Sequence, residues 1–139
     1  MDAVKNLVLL VEDSPDDAEL TELAFRMNGI AAELIVARDG VEALEYLHAA
    51  GRRTRLPSVI LLDLKLPRVD GLEVLRRLRS DERTRSVPIV VLSSSSEESD
   101  VLLSYEFGAN SYIRKPVDFA QFSETARQLA GAWLTGGRR

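Results

Sequence analysis

No cysteine occurs anywhere in the 139 residues, so disulfides and thiolate metal sites are excluded at once, which suits a reducing cytosol. The chain has a single histidine, His48, and a three-histidine zinc site is therefore impossible. Long apolar runs are also missing: "NLVLLV" and "SVILLD" fall far short of the roughly 20 residues that a membrane-spanning helix needs. The opening "MDAVKN" lacks an apolar stretch behind a basic start, so no secretory signal is visible and the expected location is the cytoplasm, away from membranes. Basic residues are not gathered into a stripe. Apart from "GRRTR" and the final "GGRR" they are scattered, and the net charge is −4, which argues against a nucleic-acid partner. No glycine-rich loop follows the first apolar run. "VEDSPDD" offers carboxylates where nucleotide phosphates need backbone amides.

What is present is a regular alternation. Five short apolar, β-branched-rich runs occupy residues 7–11, 32–37, 58–63, 87–93 and 111–114, and stretches with helical spacing lie between and after them. The first helix has Ser14 as N-cap, Pro15 at its first position, acids in its first turn and Gly29 at its stop, with Leu20, Leu23, Ala24 and Met27 expected on the buried face. The second, residues 41–50, groups Val41, Leu44 and Leu47. The third, residues 72–79, turns Val74, Leu75 and Leu78 inward and Arg76, Arg77 and Arg79 to solvent. The fourth spans residues 98–107, with Ser96 or Ser99 as cap. The fifth spans residues 118–133, with Phe122, Ala126, Leu129, Ala130 and Trp133 on one stripe.

Strands alternating with helices imply right-handed crossovers and a parallel sheet covered on both faces. The first, third and fourth runs are continuously apolar and belong in the centre. Glu33 interrupts the second, and Arg114 charges the fifth, which suits them to the edges. The expected fold class is therefore α/β, a doubly wound five-stranded parallel sheet in the order 2-1-3-4-5. Its site is expected at the strand carboxyl ends beside the switch between strands 1 and 3. One domain, residues 1–139 with a core of about 6–134 and no output domain, accounts for the length.

The ends of these strands gather Glu12 and Asp13, Asp63, Ser93 and Lys115 along one sheet edge. Two carboxylates about 4 Å apart repel by about 4 kcal/mol at an effective dielectric of 20, so either one acid is protonated or cations sit among them. Mg²⁺ suits such a cluster, since it takes one or two carboxylates and leaves positions for phosphate oxygens. A hydroxyl from Ser93 and the Lys115 ammonium complete a pocket for a phosphoryl group. A carboxylate can itself attack phosphorus, and Asp63, central among the acids, is the candidate acceptor. His48 lies on helix 2, away from these strand ends, where a phosphohistidine protein would need it.

The ordered set "LVLLVEDSPDD", "LLDLKLP", "DG", "VVLSS" and "YIRKP" resembles the receiver domain of two-component response regulators over nearly the whole chain. That resemblance implies a flavodoxin-like fold, Asp63 as phosphoacceptor, and Mg²⁺, with Mn²⁺ as a substitute. The metal would be held by Glu12, Asp13, Asp63 and the backbone carbonyl of Lys65. It implies phosphoryl contacts from Ser93, Ser94 and Lys115, a switch formed by Ser93 and Tyr112, and a cis peptide between Lys115 and Pro116. "VEDSPDDAELTELAF", "DGVEALEYL", "DLKLPRVDG" and "SSSSEESD" are similar to the small stand-alone receivers associated with bacterial phytochrome-type histidine kinases. Such a protein takes its phosphoryl group from a sensor histidine kinase. It is a homodimer through helix 4, strand 5 and helix 5, here with Phe107, Tyr112, Phe119, Phe122 and Trp133. It signals through protein contacts, and it is not an enzyme beyond its own phosphorylation and dephosphorylation. The rival is a small phosphohydrolase working through an aspartyl phosphate. Such enzymes usually place a second acid two residues after the nucleophile, where this chain has Lys65.

Overall fold

The computed structural model describes residues 6–49 and 56–134. Five strands, β1 (Asn6–Val11), β2 (Ala32–Ala37), β3 (Val59–Leu62), β4 (Ile89–Ser93) and β5 (Ser111–Arg114), alternate with α1 (Pro15–Met27), α2 (Gly40–Ala49), α3 (Gly71–Ser80), α4 (Glu98–Glu106) and α5 (Phe119–Trp133). Every pairing is parallel and the order is β2-β1-β3-β4-β5, as the apolar runs predict. None of the described helices is long and apolar enough to cross a membrane.

Strand alternation divides the core between the two sheet faces. Leu9, Val11, Ile60, Leu62, Ile89 and Val91 point toward Leu47 of α2 and Val74, Leu75 and Leu78 of α3. Val8, Leu10, Val59, Leu61 and Val90 point the other way, onto Ala24 and Phe25 of α1 and Phe122, Ala126 and Leu129 of α5. The three central strands are buried on both faces, whereas β2 and β5 remain half-exposed at the edges.

Several local expectations are corrected. β4 starts at Ile89 because Pro88 has no N–H for the ladder, although its carbonyl accepts from the Ile60 N–H at 2.9 Å. Asp63 lies one residue beyond β3, with its N–H still donating to the Val11 carbonyl at 3.1 Å. In α1 the buried residues are Thr21, Ala24 and Phe25, and Met27 is 69% exposed, because Ala24 and Phe25 join the core that α1 shares with α5 and Leu20 packs against it. Ala50 and the "GRRTR" segment lie outside the described residues.

Arg79 is not solvated. Its guanidinium reaches past the end of α3 and donates to the carbonyls of Gly108 (2.9 Å), Val87 (2.8 Å) and Arg85 (3.0 Å), and to Asn110 Oδ1 (2.8 Å). Burial lowers its pKa from the ordinary arginine value. Asn110 Oδ1 also accepts the Ile89 N–H at 2.8 Å, so one planar fork fastens the start of β4 to the turn before β5. The aromatic set expected on the outer face is half-buried, apart from one member. Phe122 is buried in the core, while Phe107, Tyr112, Phe119 and Trp133 pack against it. The large apolar side chains exposed there are Leu102 and Tyr105 of α4 and Val117 after β5.

Candidate functional site

The carboxyl ends of β1, β3, β4 and β5 meet where the sequence places the site. Glu12 follows β1, and its N–H extends the ladder to the Ala37 carbonyl at 2.9 Å. This leaves its side chain 3% exposed, while Asp13 turns outward. The chain then enters α1 through Ser14, whose N–H donates to Glu12 Oε2 at 3.1 Å. Asp63, 6% exposed, is oriented by the Lys65 N–H, which donates to its Oδ1 at 3.1 Å, and the Lys65 side chain points into solvent. Ligand oxygens of Glu12, Asp13 and Asp63 all lie within 4.8 Å of one another. An all-carboxylate set at that spacing fits a hard divalent cation that retains several waters.

Lys115 closes the cluster from β5. Its Nζ lies 2.9 Å from Glu12 Oε1, 3.1 Å from Asp63 Oδ2 and 2.9 Å from Asp17 Oδ2. Burial works against the ammonium. Hydrogen bonds to Glu12 and Asp17 and the charges of Asp63 and Glu12 outweigh it, and the lysine pKa is raised. Glu12 is pushed up to about 7, chiefly because burial removes water from its carboxylate, with Asp63 adding repulsion and Lys115 opposing the shift.

Ser93 is fully buried at the end of β4, and its Oγ accepts the Ser95 N–H at 3.2 Å. Ser94 is exposed. Ser95 makes the connections that sequence reasoning did not assign to it: its Oγ donates to Asp100 Oδ2 at 2.6 Å and accepts the Glu97 N–H at 3.2 Å. Glu97 is therefore the N-cap of α4, without a side-chain cap bond from Ser96 or Ser99. The Tyr112 hydroxyl donates to the Ser95 carbonyl at 2.7 Å, so Ser93 and Tyr112 both bond the backbone of one residue. The Lys115–Pro116 bond is trans, contrary to expectation. Trans is the lower-energy isomer of such bonds, and Lys115 reaches all three carboxylates from it while its N–H donates to the Ser93 carbonyl at 2.7 Å.

Residues 8–127 match the family model described as the response regulator receiver domain. The chain belongs to this family. Among its relatives, it is 40% identical to a probable methanogenesis regulatory protein, FilR2, of Methanothrix harundinacea, covering 95% of this chain and 86% of that one. It is 36% identical to the response regulator Rcp1 of Synechocystis, covering 92% and 88%. Among solved receivers, a bacteriophytochrome response regulator, RtBRR, is 47% identical with a TM-score of 0.78, covering 97% of this chain and 84% of that one. The phosphorylated cyanobacterial phytochrome response regulator RcpA is 36% identical with a TM-score of 0.88, covering 95% and 96%. A Mn²⁺-bound form of Rcp1 is 35% identical with a TM-score of 0.84, covering 96% and 97%. The receiver is thus a signalling protein. The phosphohydrolase alternative is not favoured: Lys65 stands, exposed, where its second acid would be.

Asp17 is the site residue that sequence reasoning missed. It reads as an ordinary first-turn acid, favoured by the helix dipole, and only the close approach of α1 to the end of β5 gives it a partner.

Proposed function

We propose that Asp63 is the phosphoacceptor and that a sensor histidine kinase of the phytochrome type supplies the phosphoryl group. A carboxylate oxygen of Asp63 attacks phosphorus of a phosphohistidine. The P–N bond breaks, its electron pair returns to the imidazole, and an acyl phosphate forms. The observation that carries this reading is the Lys115 ammonium held at 2.9 Å from Glu12 and 3.1 Å from Asp63 at the strand ends, with Asp13 alongside. Glu12, Asp13, Asp63 and the Lys65 carbonyl would hold Mg²⁺, or Mn²⁺ in its place, and when bound the cation neutralises charge on the phosphoryl oxygens.

The chain's own groups do the rest. Lys115 already faces the Asp63 Oδ2 and meets the phosphoryl group as a point charge, while Ser93 and Ser94 supply hydroxyls from the adjoining strand end. When the Ser93 hydroxyl turns to a phosphoryl oxygen, the Ser95 N–H loses its acceptor. The loop before α4 then moves, and with it the Tyr112 hydroxyl bound to the Ser95 carbonyl. The output is a protein contact made by α4, β5 and α5, the face on which Leu102, Tyr105 and Val117 are exposed, and a homodimer forms through that face. The receiver works in the cytoplasm without a nucleic-acid partner, and it turns over only its own phosphoryl group.

Incubation with Mg²⁺ and a small acyl-phosphate donor, read by intact mass, tests this. The wild type gains one base- and hydroxylamine-labile phosphoryl group and Asp63→Asn gains none. Undiminished labelling of the variant removes Asp63 from the role. Sedimentation across protein concentration tests the dimer, and a monomer throughout, with and without a phosphoryl mimic, rejects it.

A further inference from the structure

Lys115 has an anionic partner that the proposed phosphotransfer leaves unused. Asp17 Oδ2 is 2.9 Å from Nζ, as near as Glu12 Oε1 and nearer than Asp63 Oδ2 at 3.1 Å. The start of α1 fixes its place. Ser14 is the N-cap and its Oγ accepts the Asp17 N–H at 3.2 Å, Pro15 pre-sets the backbone of the first position, and the buried Thr21 hydroxyl donates to the Asp17 carbonyl at 2.8 Å. The carboxylate therefore projects from a rigid turn toward the end of β5. It lies outside the trio whose ligand oxygens converge.

We propose that Asp17 is a positioning residue for Lys115, holding its ammonium at the strand ends while a divalent cation takes the oxygens of Glu12 and Asp63. The ammonium and that cation compete for the same atoms, since Nζ contacts both Glu12 oxygens and Asp63 Oδ2. A lysine that surrenders these partners with nothing in return either obstructs the cation or leaves for solvent, where it is lost to the phosphoryl group. Asp17 gives it an anionic partner that the cation does not use, so cation and ammonium are accommodated together. The inference rests on the metal site proposed above.

Mn²⁺ titrations, with free Mn²⁺ read by electron paramagnetic resonance, test it in the wild type, Asp17→Asn, Lys115→Met and the double variant. Asp16→Asn serves as the control for charge in the same turn, since Asp16 is exposed. The expected result is a loss of Mn²⁺ affinity of about five- to tenfold for Asp17→Asn in the wild-type background. With Lys115 replaced, the same change costs no more than about twofold, a coupling within the range of contacting residues. Asp16→Asn stays within about twofold of wild type, and Asp17→Glu, which keeps the charge, recovers part of the loss and covers the case in which Asn at this position impairs folding. Equal losses in both backgrounds would show that Asp17 acts only through its field and overturn the proposal, as would an Asp17→Asn variant that binds like wild type. A wild type that takes up no Mn²⁺ rejects the metal site itself, and the role of Asp17 with it.

Discussion

Gly71, the first residue of α3, sits against the loop that delivers Asp63, and its N–H donates to the Leu64 carbonyl at 2.8 Å. A Cβ there would lie 2.4 Å from the Asp63 carbonyl oxygen, 2.5 Å from Leu64 Cα and 3.0 Å from the Leu64 carbonyl oxygen. All three are backbone atoms, so no rotamer change relieves the clash. The helix start must retreat by roughly 1 Å or the loop must yield, and overpacking of this kind costs about 1–3 kcal/mol. Alanine returns at most about 1 kcal/mol through helix propensity. Gly71→Ala is therefore expected to destabilise the receiver by about 1–2 kcal/mol, a fall in Tm of about 3–7 °C. It should also slow labelling of Asp63, whose carbonyl is the nearest obstruction. Gly131→Ala is the matched control. This glycine lies in α5 with nothing within 4 Å of a Cβ, and the same substitution should stabilise by about 0.5–1 kcal/mol. Urea unfolding of the three proteins decides the matter, and a Gly71→Ala variant as stable as wild type would refute the close approach of α3 to the Asp63 loop.

Further outcomes follow from the same contacts. Burial raises the Glu12 pKa from the ordinary glutamate value of about 4.5 to about 7, so the fold takes up a proton there as pH drops. Its stabilising contribution in metal-free protein is complete below about 4.5 and is lost as pH rises through about 7. Because a metal needs the ionised carboxylate, Mn²⁺ affinity should climb between pH 6 and 8 and then level off, and an affinity independent of pH over that range would exclude Glu12 as a ligand. Arg79→Ala leaves carbonyls of Val87, Arg85 and Gly108 without their donor and should cost about 1–3 kcal/mol. Arg79→Lys should recover less than half of that, because a point charge cannot serve a fork of acceptors, and urea midpoints measure both. Tyr112→Phe removes the donor to the Ser95 carbonyl, at about 0.5–1.5 kcal/mol, and amide exchange should quicken through residues 94–100. Unchanged exchange would detach Tyr112 from that loop.

The topology was legible because three strands hold unbroken runs of four or five apolar residues and two carry a charge, which sorts centre from edge before any pairing is known. The site was legible for a related reason: Ser93 ends a strand, and Glu12, Asp63 and Lys115 follow directly on strands, whose register places the four together. What escaped depends on how helices lie across the sheet. Asp17 meets Lys115 only because the lysine reaches from the end of β5 to the first turn of α1, Phe25 rather than Met27 is buried in α1, and Arg79 finds carbonyls instead of solvent because its stem is long enough to pass the end of α3. Neighbours on different elements, whose packing angle no local pattern specifies, leave no periodic signal. The trans bond before Pro116 belongs to the same class, since the dipeptide admits either isomer.

The grip of Arg79 on Gly108 and Asn110 makes the two ends of α4 unequal. Its C-terminal end closes in a left-handed Gly108, with the Ala109 N–H returning to the Ser104 carbonyl at 2.9 Å, and is fastened there to β4. Its first turn lacks a side-chain cap bond, and Ser104 is the only one of its residues that is buried. A nine-residue helix is about 13 Å long, so a tilt of about 10° about the fixed end carries the first turn by roughly 2 Å. α4 is thus a lever pivoted far from the carboxylates and tied beside them only through Ser95, to Asp100 Oδ2 and the Glu97 N–H, so on the proposed switch a hydroxyl that turns at Ser93 would act on its long arm.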